Sequence, residues 1–497
     1  MLRPHDPIPG RTLLAVAELT SAFSKHSDLE SVSISGVSID SHQVEAGDLF
    51  IAVAGAKVHG ATYAGNAKLN GAVAVLTDEV GAVLITDLPV LVVGDPRAAA
   101  GAIAAWLHKE PMRDMFSVGV TGTNGKTTVT TLLYQIAMAA SRQSGLIGTV
   151  ETRIGDEVIE SLRTTPEAPE LQSLVAVMRE RHMRSVFMEV SSHAVSLNRI
   201  GGSHFDIAAF TNLSQDHLDF HADMDSYFAA KAALFTHKYA DAAYINIDSS
   251  WAQKLLDIQE LPVVRISRHA KSADWYFEGI ENGLRSTSIA IRGTGGILIE
   301  TSTKLVGDFN LDNLLMAIAI SVASGIDPID IAAITPSLTG AEGRLEKVDL
   351  GQSFNALVDY AHSPDSVTSV LETLRKSTAG KVIAVLGCGG DRDRSKRPLM
   401  GAALLAGSDL AVFTSDNPRS EDPAQIINEM VSGLTLSTMS VIEIDRKRAI
   451  EIAVAAAEPG DVVVILGKGH ESGQEIAGVK HNFDDRLVLA AAIEASP

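Results

Sequence analysis

Apolar positions in this chain come in short β-branched runs and in longer stretches with helical spacing, and the two kinds alternate. Segments 32–40 (VSISGVSID), 48–53 (DLFIAV), 72–77 (AVAVLT) and 88–93 (LPVLVV) read as strands. YAGNAKLNGA (63–72) and PRAAAGAIAAWLHK (96–109) read as helices, the second with proline near its first turn. Glu110-Pro111 then breaks the pattern, which places a boundary at residue 112.

The next block opens on SVGVTGTNGKTTVTT (117–131), a buried-type strand running through a glycine-rich turn into the helical segment 129–140. SVFMEVSS (185–192) and FDIAAFTNLS (205–214) predict strands whose polar residues gather at their C-terminal ends, and DAAYINID (241–248) predicts another. Residues 262–306 alternate in β fashion around Gly293–Gly296 and predict a hairpin region, followed by the helix 310–325, ended by Gly325. A second boundary falls at 340. Beyond it, segments 381–394, 409–419 and 461–471 repeat one design, an apolar strand running into a polar loop, with helices such as 397–407 and 446–460 between them. The pattern predicts an α/β chain of three domains. These are an N-terminal α/β domain (1–112), a central P-loop domain with a mostly parallel sheet (113–340) and a C-terminal Rossmann-like domain (341–497).

Composition narrows the possibilities. A length of 497 residues exceeds one core, and 46% apolar with 21% charged residues is ordinary for a globular chain. A net charge of −20 argues against nucleic-acid binding and against attraction to anionic membranes. An anionic ligand must therefore be gripped locally. Cys388 is the single cysteine, so no internal disulfide forms, as suits a reducing cytosol. No apolar run is long enough to insert in a membrane, and a cytoplasmic location is expected.

Candidate chemistry starts at Gly122-Thr123-Asn124-Gly125-Lys126-Thr127-Thr128. A tight glycine turn at a helix N-terminus aims backbone N–H groups at an anion. Lys126 suits the outer phosphates and Thr127 suits Mg2+. The usual spacing asks for glycine at 120, where this chain has Val120, so the loop is a compressed form. Glu189 ends its strand either as a Mg2+ ligand or as a buried, hydrogen-bonded acid. Asn212, Asp216, His217, Asp219 and His221 form an oxygen-rich cluster that favours Mg2+ or Mn2+ beside phosphate over zinc, with His221 read as structural. Lys231 sits among Tyr227, Phe228, Leu234 and Phe235, and residue types alone give it no role beyond snorkelling. On the third domain, polar loops occupy one edge: Asp391–Arg397, Asp416-Asn417-Pro418-Arg419 and Gly467–Glu471. Arg419 there suits a bidentate grip on a carboxylate, which lysine cannot copy.

Twelve segments carry a resemblance over nearly the whole chain. They are DSHQVEAGDLFIAVAG, TGTNGKTT, RTTPE, MEVSSHA, FTNLSQDHLDFH, YFAAKAALF, GDFNLDNLLMA, GRLEKV, VDYAHSPDS, GCGGDRDRSKRPLM, TSDNPR and GKGHE. In this order the chain resembles the Mur ligases, ATP-dependent amino-acid ligases of peptidoglycan synthesis, and within them those that extend UDP-N-acetylmuramoyl-L-alanyl-D-glutamate. The resemblance implies ATP and two Mg2+ ions, with Lys126, Lys231 and His217 as catalytic groups. It implies a metal set of Thr127, Glu189, His217 and Lys231, the last as a carbamate, which reverses the reading from residue types. It places Ser41, Ala56, Lys57, Val58, Thr164, Thr165, Ser191 and Arg199 on the UDP-substrate, and Asn310, Arg344 and Asp359 around adenine and ribose. It assigns Arg392, Asp416, Asn417, Pro418, Arg419, Gly467 and Glu471 to the incoming amino acid. The loop form DNPR goes with meso-diaminopimelate, while L-lysine or another diamino acid stays open. A monomer without nucleic-acid partners is expected. Two other readings remain: a nucleotide-switched binding module that forms no amide, and a folylpolyglutamate-type ligase. Lys-Thr-Thr after Gly125 and the long first domain stand against the second.

Overall fold

Wherever a helix separates two β-branched runs, the runs pair as parallel strands, and each domain gathers its own sheet. The computed structural model describes residues 2–5, 11–55, 57–159, 161, 163–218, 220–282, 286–436 and 438–496. In the first sheet, β1 (Gly36–Ser38), β2 (Asp48–Ile51), β3 (Ala74–Thr77) and β4 (Val90–Val92) lie parallel in that order. The run 32–40 joins the sheet only at Gly36–Ser38. Just before it, the Ile34 and Ser35 amides bond to Arg11 and Gly47 carbonyls, so that stretch is tied to loops instead of the ladder. The helix Pro96–Leu107 starts on Asp95, whose side chain accepts from the Ala98 amide.

The second sheet comprises β5 (Phe116–Thr121), β6 (Ser144–Ile147), β7 (Thr152–Ile154), β8 (Glu157–Ile159), β9 (Ser185–Glu189), β10 (Phe205–Phe210), β11 (Ala240–Asn246), β12 (Val263–Ser267), β13 (Trp275–Asn282), β14 (Thr287–Arg292) and β15 (Leu298–Thr303). Its order is β15-β14-β13-β12-β11-β10-β5-β9-β6-β7-β8. The stretch from β13 to β6 is parallel, and both edges turn back antiparallel. The predicted hairpin region is thus β13–β15, with its turn at Gly293–Gly296. One face carries the helices Lys126–Ala139 and Asp308–Ala323, packed through Val118, Val120, Leu132 and Leu314. The other face buries Leu171, Val175, Met188 and Phe210.

The third sheet runs β16 (Glu346–Lys347), β17 (Asn355–Asp359), β18 (Val382–Cys388), β19 (Leu410–Ser415), β20 (Ser440–Ile442) and β21 (Val462–Leu466), with order β16-β17-β21-β18-β19-β20. All its pairs are parallel except the edge strand β16. A hairpin, β22 (Gly473–Ile476) and β23 (Val479–Asn482), follows it.

Contacts across the domains decide where the clefts open. The helix Pro96–Leu107 meets the turn at Gly201-Gly202 backbone to backbone. A side chain at Gly101 or at Gly202 (φ +75°) would collide with the opposite chain. On the other side, Val306 and Phe309 of the second domain pack into the core of the third. Among the described residues no helix is long and apolar enough to cross a membrane.

Candidate active site

The glycine-rich loop forms a cradle where β5 ends. Val120 remains a buried strand residue, so the loop begins at Gly122 and is shorter than the usual spacing requires. Gly125 (φ +88°) closes the loop onto the helix, and a Cβ there would strike Asn313 Oδ1. The segment after β10 braces the loop from outside. Asn212 Oδ1 accepts from the Asn124 amide at 2.9 Å, Thr211 Oγ1 donates to the Asn124 carbonyl at 2.6 Å, and Thr123 Oγ1 meets Tyr227 OH at 3.2 Å. The N-terminal amides of the helix Lys126–Ala139 and its dipole therefore face a fixed concavity.

Two lysines converge on one carbonyl of that loop. Lys126 Nζ donates to the Gly122 and Thr123 carbonyls, each at 2.8 Å. Lys231 Nζ donates to the same Gly122 carbonyl at 2.8 Å. Lys231 is 1% exposed, and its Nζ stands 4.6 Å from the centre of the Tyr227 ring. Burial first, and then the charge of Lys126, hold the Lys231 pKa well below the ordinary lysine value. This lysine is no snorkelling surface residue.

Glu189 is fully buried and heavily bonded. Thr127 Oγ1 donates to it at 3.0 Å, the Thr149 amide at 2.7 Å and Thr149 Oγ1 at 3.1 Å. Among the described residues no three His, Cys, Asp or Glu side chains gather as a metal-binding group. One carboxylate beside one hydroxyl suits Mg2+ that completes its shell with phosphate oxygens and water. His217 adopts φ +55°, with Nε2 3.5 Å from Asp216 Oδ2 and its ring edge-on to His193 at 5.0 Å. Burial pushes the His217 pKa down to about 4, so the ring is neutral at pH 7. His221 hydrogen-bonds Ser192 Oγ at 2.9 Å and packs on Tyr227. Asp219 lies outside the described residues.

Among the described residues, three clefts adjoin this centre. The first, about 280 Å³, lies between the cradle and the third domain, lined by Asn124, Gly125, Thr127, Thr128, Arg344 and Asp359 among others. Arg344 stacks over Tyr360 at 4.5 Å, and its Nε is buried without a partner. Asp359 accepts from the Leu345 and Ala361 amides, and burial raises its pKa. Asn310 is turned away, its Nδ2 donating to the Val306 carbonyl at 2.8 Å, while Phe309 and Asn313 face the cleft.

The second cleft, about 490 Å³, opens between the first and second domains. Ser41 and Val58 line it together with Arg97, Arg163 and Glu167, whereas Lys57 does not and Ala56 lies outside the described residues. A polar chain leads from it toward Glu189. Glu167 pairs with Arg97 at 2.7 Å and Arg199 at 2.9 Å. Thr165 Oγ1 donates to the Glu189 carbonyl at 2.8 Å and accepts from the Ser191 amide at 3.2 Å. Thr164 Oγ1 lies within hydrogen-bond reach of Thr149 Oγ1, at 3.1 Å.

The third and largest cleft, about 830 Å³, joins Asp216 and His217 of the second domain to Arg392, Asp416, Asn417, Arg419, Gly467 and Glu471 of the third. Pro418 is not part of the lining; its carbonyl accepts from the Glu421 amide at 2.9 Å. Asn417 Nδ2 donates to Glu471 Oε2 at 2.8 Å. Arg419 (φ +52°) donates from NH1 to the Gly390 carbonyl at 2.7 Å and lies 3.5 Å from Glu475. Beneath them Lys468, fully buried, donates to Asn417 Oδ1 and Glu471 Oε2, both at 3.2 Å.

Sequence reasoning missed Thr149, Lys396, Glu167 and Glu475. Thr149 follows the short strand β6, and a polar residue at a buried strand's C-terminal end was the available signal. Lys396 was readable only as part of a mixed-charge loop, yet it lines the third cleft. Glu167 closes the RTTPE segment but was given no role there, and it and Glu475 reach their sites through tertiary contacts.

Comparison with known proteins bears on the same residues. The profile of the Mur ligase middle domain matches residues 120–321. That of the Mur ligase, glutamate ligase domain matches 343–469, and that of the Mur ligase family, catalytic domain matches 33–109. A UDP-N-acetylmuramoyl-L-alanyl-D-glutamate--2,6-diaminopimelate ligase of Streptomyces coelicolor is 48% identical over 99% of both chains. Its namesake in Streptomyces avermitilis is 47% identical, again over 99% of both. A solved structure of a ligase with this name superposes with a TM-score of 0.69 at 33% identity, covering 97% of this chain and 98% of that one.

Proposed function

The chain belongs to the Mur ligase family, and on that footing we propose that it joins meso-diaminopimelate to UDP-N-acetylmuramoyl-L-alanyl-D-glutamate in peptidoglycan synthesis, with ATP cleaved to ADP and phosphate. One observation carries this reading. Asp216 and His217, from the phosphate-loop domain, share a single cleft with Arg392, Asn417, Arg419 and Glu471 of the third. A carboxyl group activated at the cradle and an amine held by the third domain then meet inside one protein.

The reaction follows from charge. A carboxylate oxygen of the D-glutamyl residue attacks the γ-phosphorus, the bond to the ADP oxygen breaks, and an acyl phosphate forms. Two anions must approach, and Lys126 with the loop amides offsets their repulsion. Bound Mg2+ neutralises phosphate charge further; Thr127, Glu189 and His217 would hold one ion and a Lys231 carbamate a second. The amine nitrogen then attacks the acyl carbon, and the tetrahedral adduct expels phosphate to leave the amide. In the third cleft Arg419 clamps the distal carboxylate of diaminopimelate, with Arg392, Asp416, Asn417, Gly467 and Glu471 around the rest of the amino acid. Ser41 and Val58 hold the uridine end, and Thr164, Thr165, Ser191 and Arg199 the peptide end. Arg344 and Asp359 serve the nucleoside.

The carbamate reading rests on geometry. Lys231 is buried and shares the Gly122 carbonyl with a second lysine, an arrangement that disfavours an ammonium. Attack of the neutral amine on CO2 with loss of a proton replaces that charge by an anion. Lys231→Ala is expected to abolish ligation, and short-chain carboxylic acids to restore part of it; loss without rescue would remove the carbamate. We read the chain as three units, 1–112, 113–340 and 341–497, working as a monomer in the cytoplasm.

The deciding assay measures product mass with ATP, the UDP-dipeptide and a panel of diamino acids. The expected product is the diaminopimelate amide, with ATP cleaved only when both partners are present. ATP turnover with neither, or nucleotide binding with no amide from any combination, would reject the reading. A dominant L-lysine product would reject the clamp alone.

A further inference from the structure

The loops of the third cleft leave from different strands, and their starting points need a common anchor. Arg446 and Asp485 are the first residues of the helices Arg446–Ala455 and Asp485–Ala495, and both side chains are fully buried. They form a two-pronged pair, Nε to Oδ1 at 2.8 Å and NH2 to Oδ2 at 2.6 Å. The guanidinium also donates from NH1 to the Ser415 carbonyl at 3.2 Å and from NH2 to the Leu466 carbonyl at 2.9 Å. Ser415 ends β19 and directly precedes Asp416-Asn417-Pro418-Arg419; Leu466 ends β21 and directly precedes Gly467–Glu471. In the sheet, β18 lies between these strands, so no ladder bond joins them. One buried guanidinium bridges the two loop origins across the intervening strand.

Stability is a weak explanation for such a pair. Removing two charges from water is expensive, and well-packed apolar side chains of similar volume often hold a fold equally well or better. Apolar groups cannot fix two carbonyls at a set spacing, whereas a planar fork with several donors can.

We propose that Arg446 and Asp485 are positioning residues for the amino-acid cleft, holding the 416–419 and 467–471 loops in register. This rests on the reading of that cleft as the amino-acid site.

The test uses the full chain with both charges removed together, R446M/D485L. Expected are a melting temperature at or above the parent's and a KM for diaminopimelate raised tenfold or more. The KM values for ATP and the UDP-dipeptide should stay within twofold. Hydrogen–deuterium exchange should accelerate at 416–419 and 467–471 and stay unchanged at 122–128. An unchanged diaminopimelate KM, or unchanged exchange in both loops, would overturn the proposal. Should the double variant fail to fold, R446K keeps the charge and loses the fork. It is expected to show the same selective KM rise, and a parental KM in R446K would also overturn the proposal. If the parent chain itself forms no amide, the proposed reaction falls, and exchange in the two loops still decides the role of the pair.

Discussion

The glycine-rich loop and the third cleft, which we propose as phosphate cradle and amino-acid site, are both built where parallel strands end, but from opposite kinds of material. The cradle is nearly continuous in sequence. β5, its loop and the helix onset supply the amides, Lys126 and Thr127, and the 211–214 segment only braces them. The cleft takes one loop each from β18, β19 and β21, joined by Lys468, Arg446 and Glu475 and faced by Asp216 and His217 of another domain. A site made of neighbours in sequence is set by local backbone geometry, so one side chain there acts almost alone. A site made of distant loops depends on whatever holds those loops together, and its residues act through one another.

Three measurements would break or sharpen that contrast. The largest effect is expected at the cradle. Lys126→Ala should slow single-turnover ADP formation by roughly 10⁴-fold, about 5 kcal/mol, because the approach of two anions loses its main cation. Binding of the diamino acid, followed by calorimetry, should not change. A slowing under tenfold, or weakened diamino-acid binding, would erase the independence of the two regions.

Arg419→Ala comes next, lowering kcat/KM for diaminopimelate by about 2–5 kcal/mol as a buried carboxylate loses its partner. Activity with L-lysine should be nearly unaffected, and Arg419→Lys should fail to restore the diaminopimelate reaction. Equal losses with both amino acids would make Arg419 a structural part of its loop.

The smallest effect treats both regions alike. His217 beside the cradle and His470 in the 467–471 loop each have a pKa lowered to about 4, by burial before all else. In each case the unfolded ring, near 6.5, binds the proton more readily than the folded one. Stability from these groups is therefore intact above about pH 6.5, is lost as the pH falls toward 4, and changes no further below that. With solvent screening allowed for, about 1 kcal/mol or less is expected from each, read as a lowered urea midpoint at pH 4.5 against pH 7. A midpoint that rises on acidification would contradict the assignment.

The legible part of the chain follows the same division. SVGVTGTNGKTT could be read residue by residue because strand, turn and helix onset follow from the local pattern, including the compressed spacing that Val120 imposes. The parallel core of the second sheet and the edge of three loops were likewise predictable from strands alternating with helices. The burial of Lys231 was not legible from residue types. Its neighbours in sequence read as an ordinary amphipathic helix, and only the fold brings its Nζ to the Gly122 carbonyl. Thr149, Glu167, Glu475 and the burial of Arg446 were hidden for the same reason: their partners lie far away along the chain.

By itself the amino-acid sequence determined what local sterics and periodicity can specify: where strands and helices alternate, where the backbone must turn, and which turn opens onto a helix N-terminus. Only the tertiary structure decided which distant side chains share a carbonyl, a cleft or a buried charge. Such contacts arise when separate sheets dock, and no local pattern of residues encodes the docking.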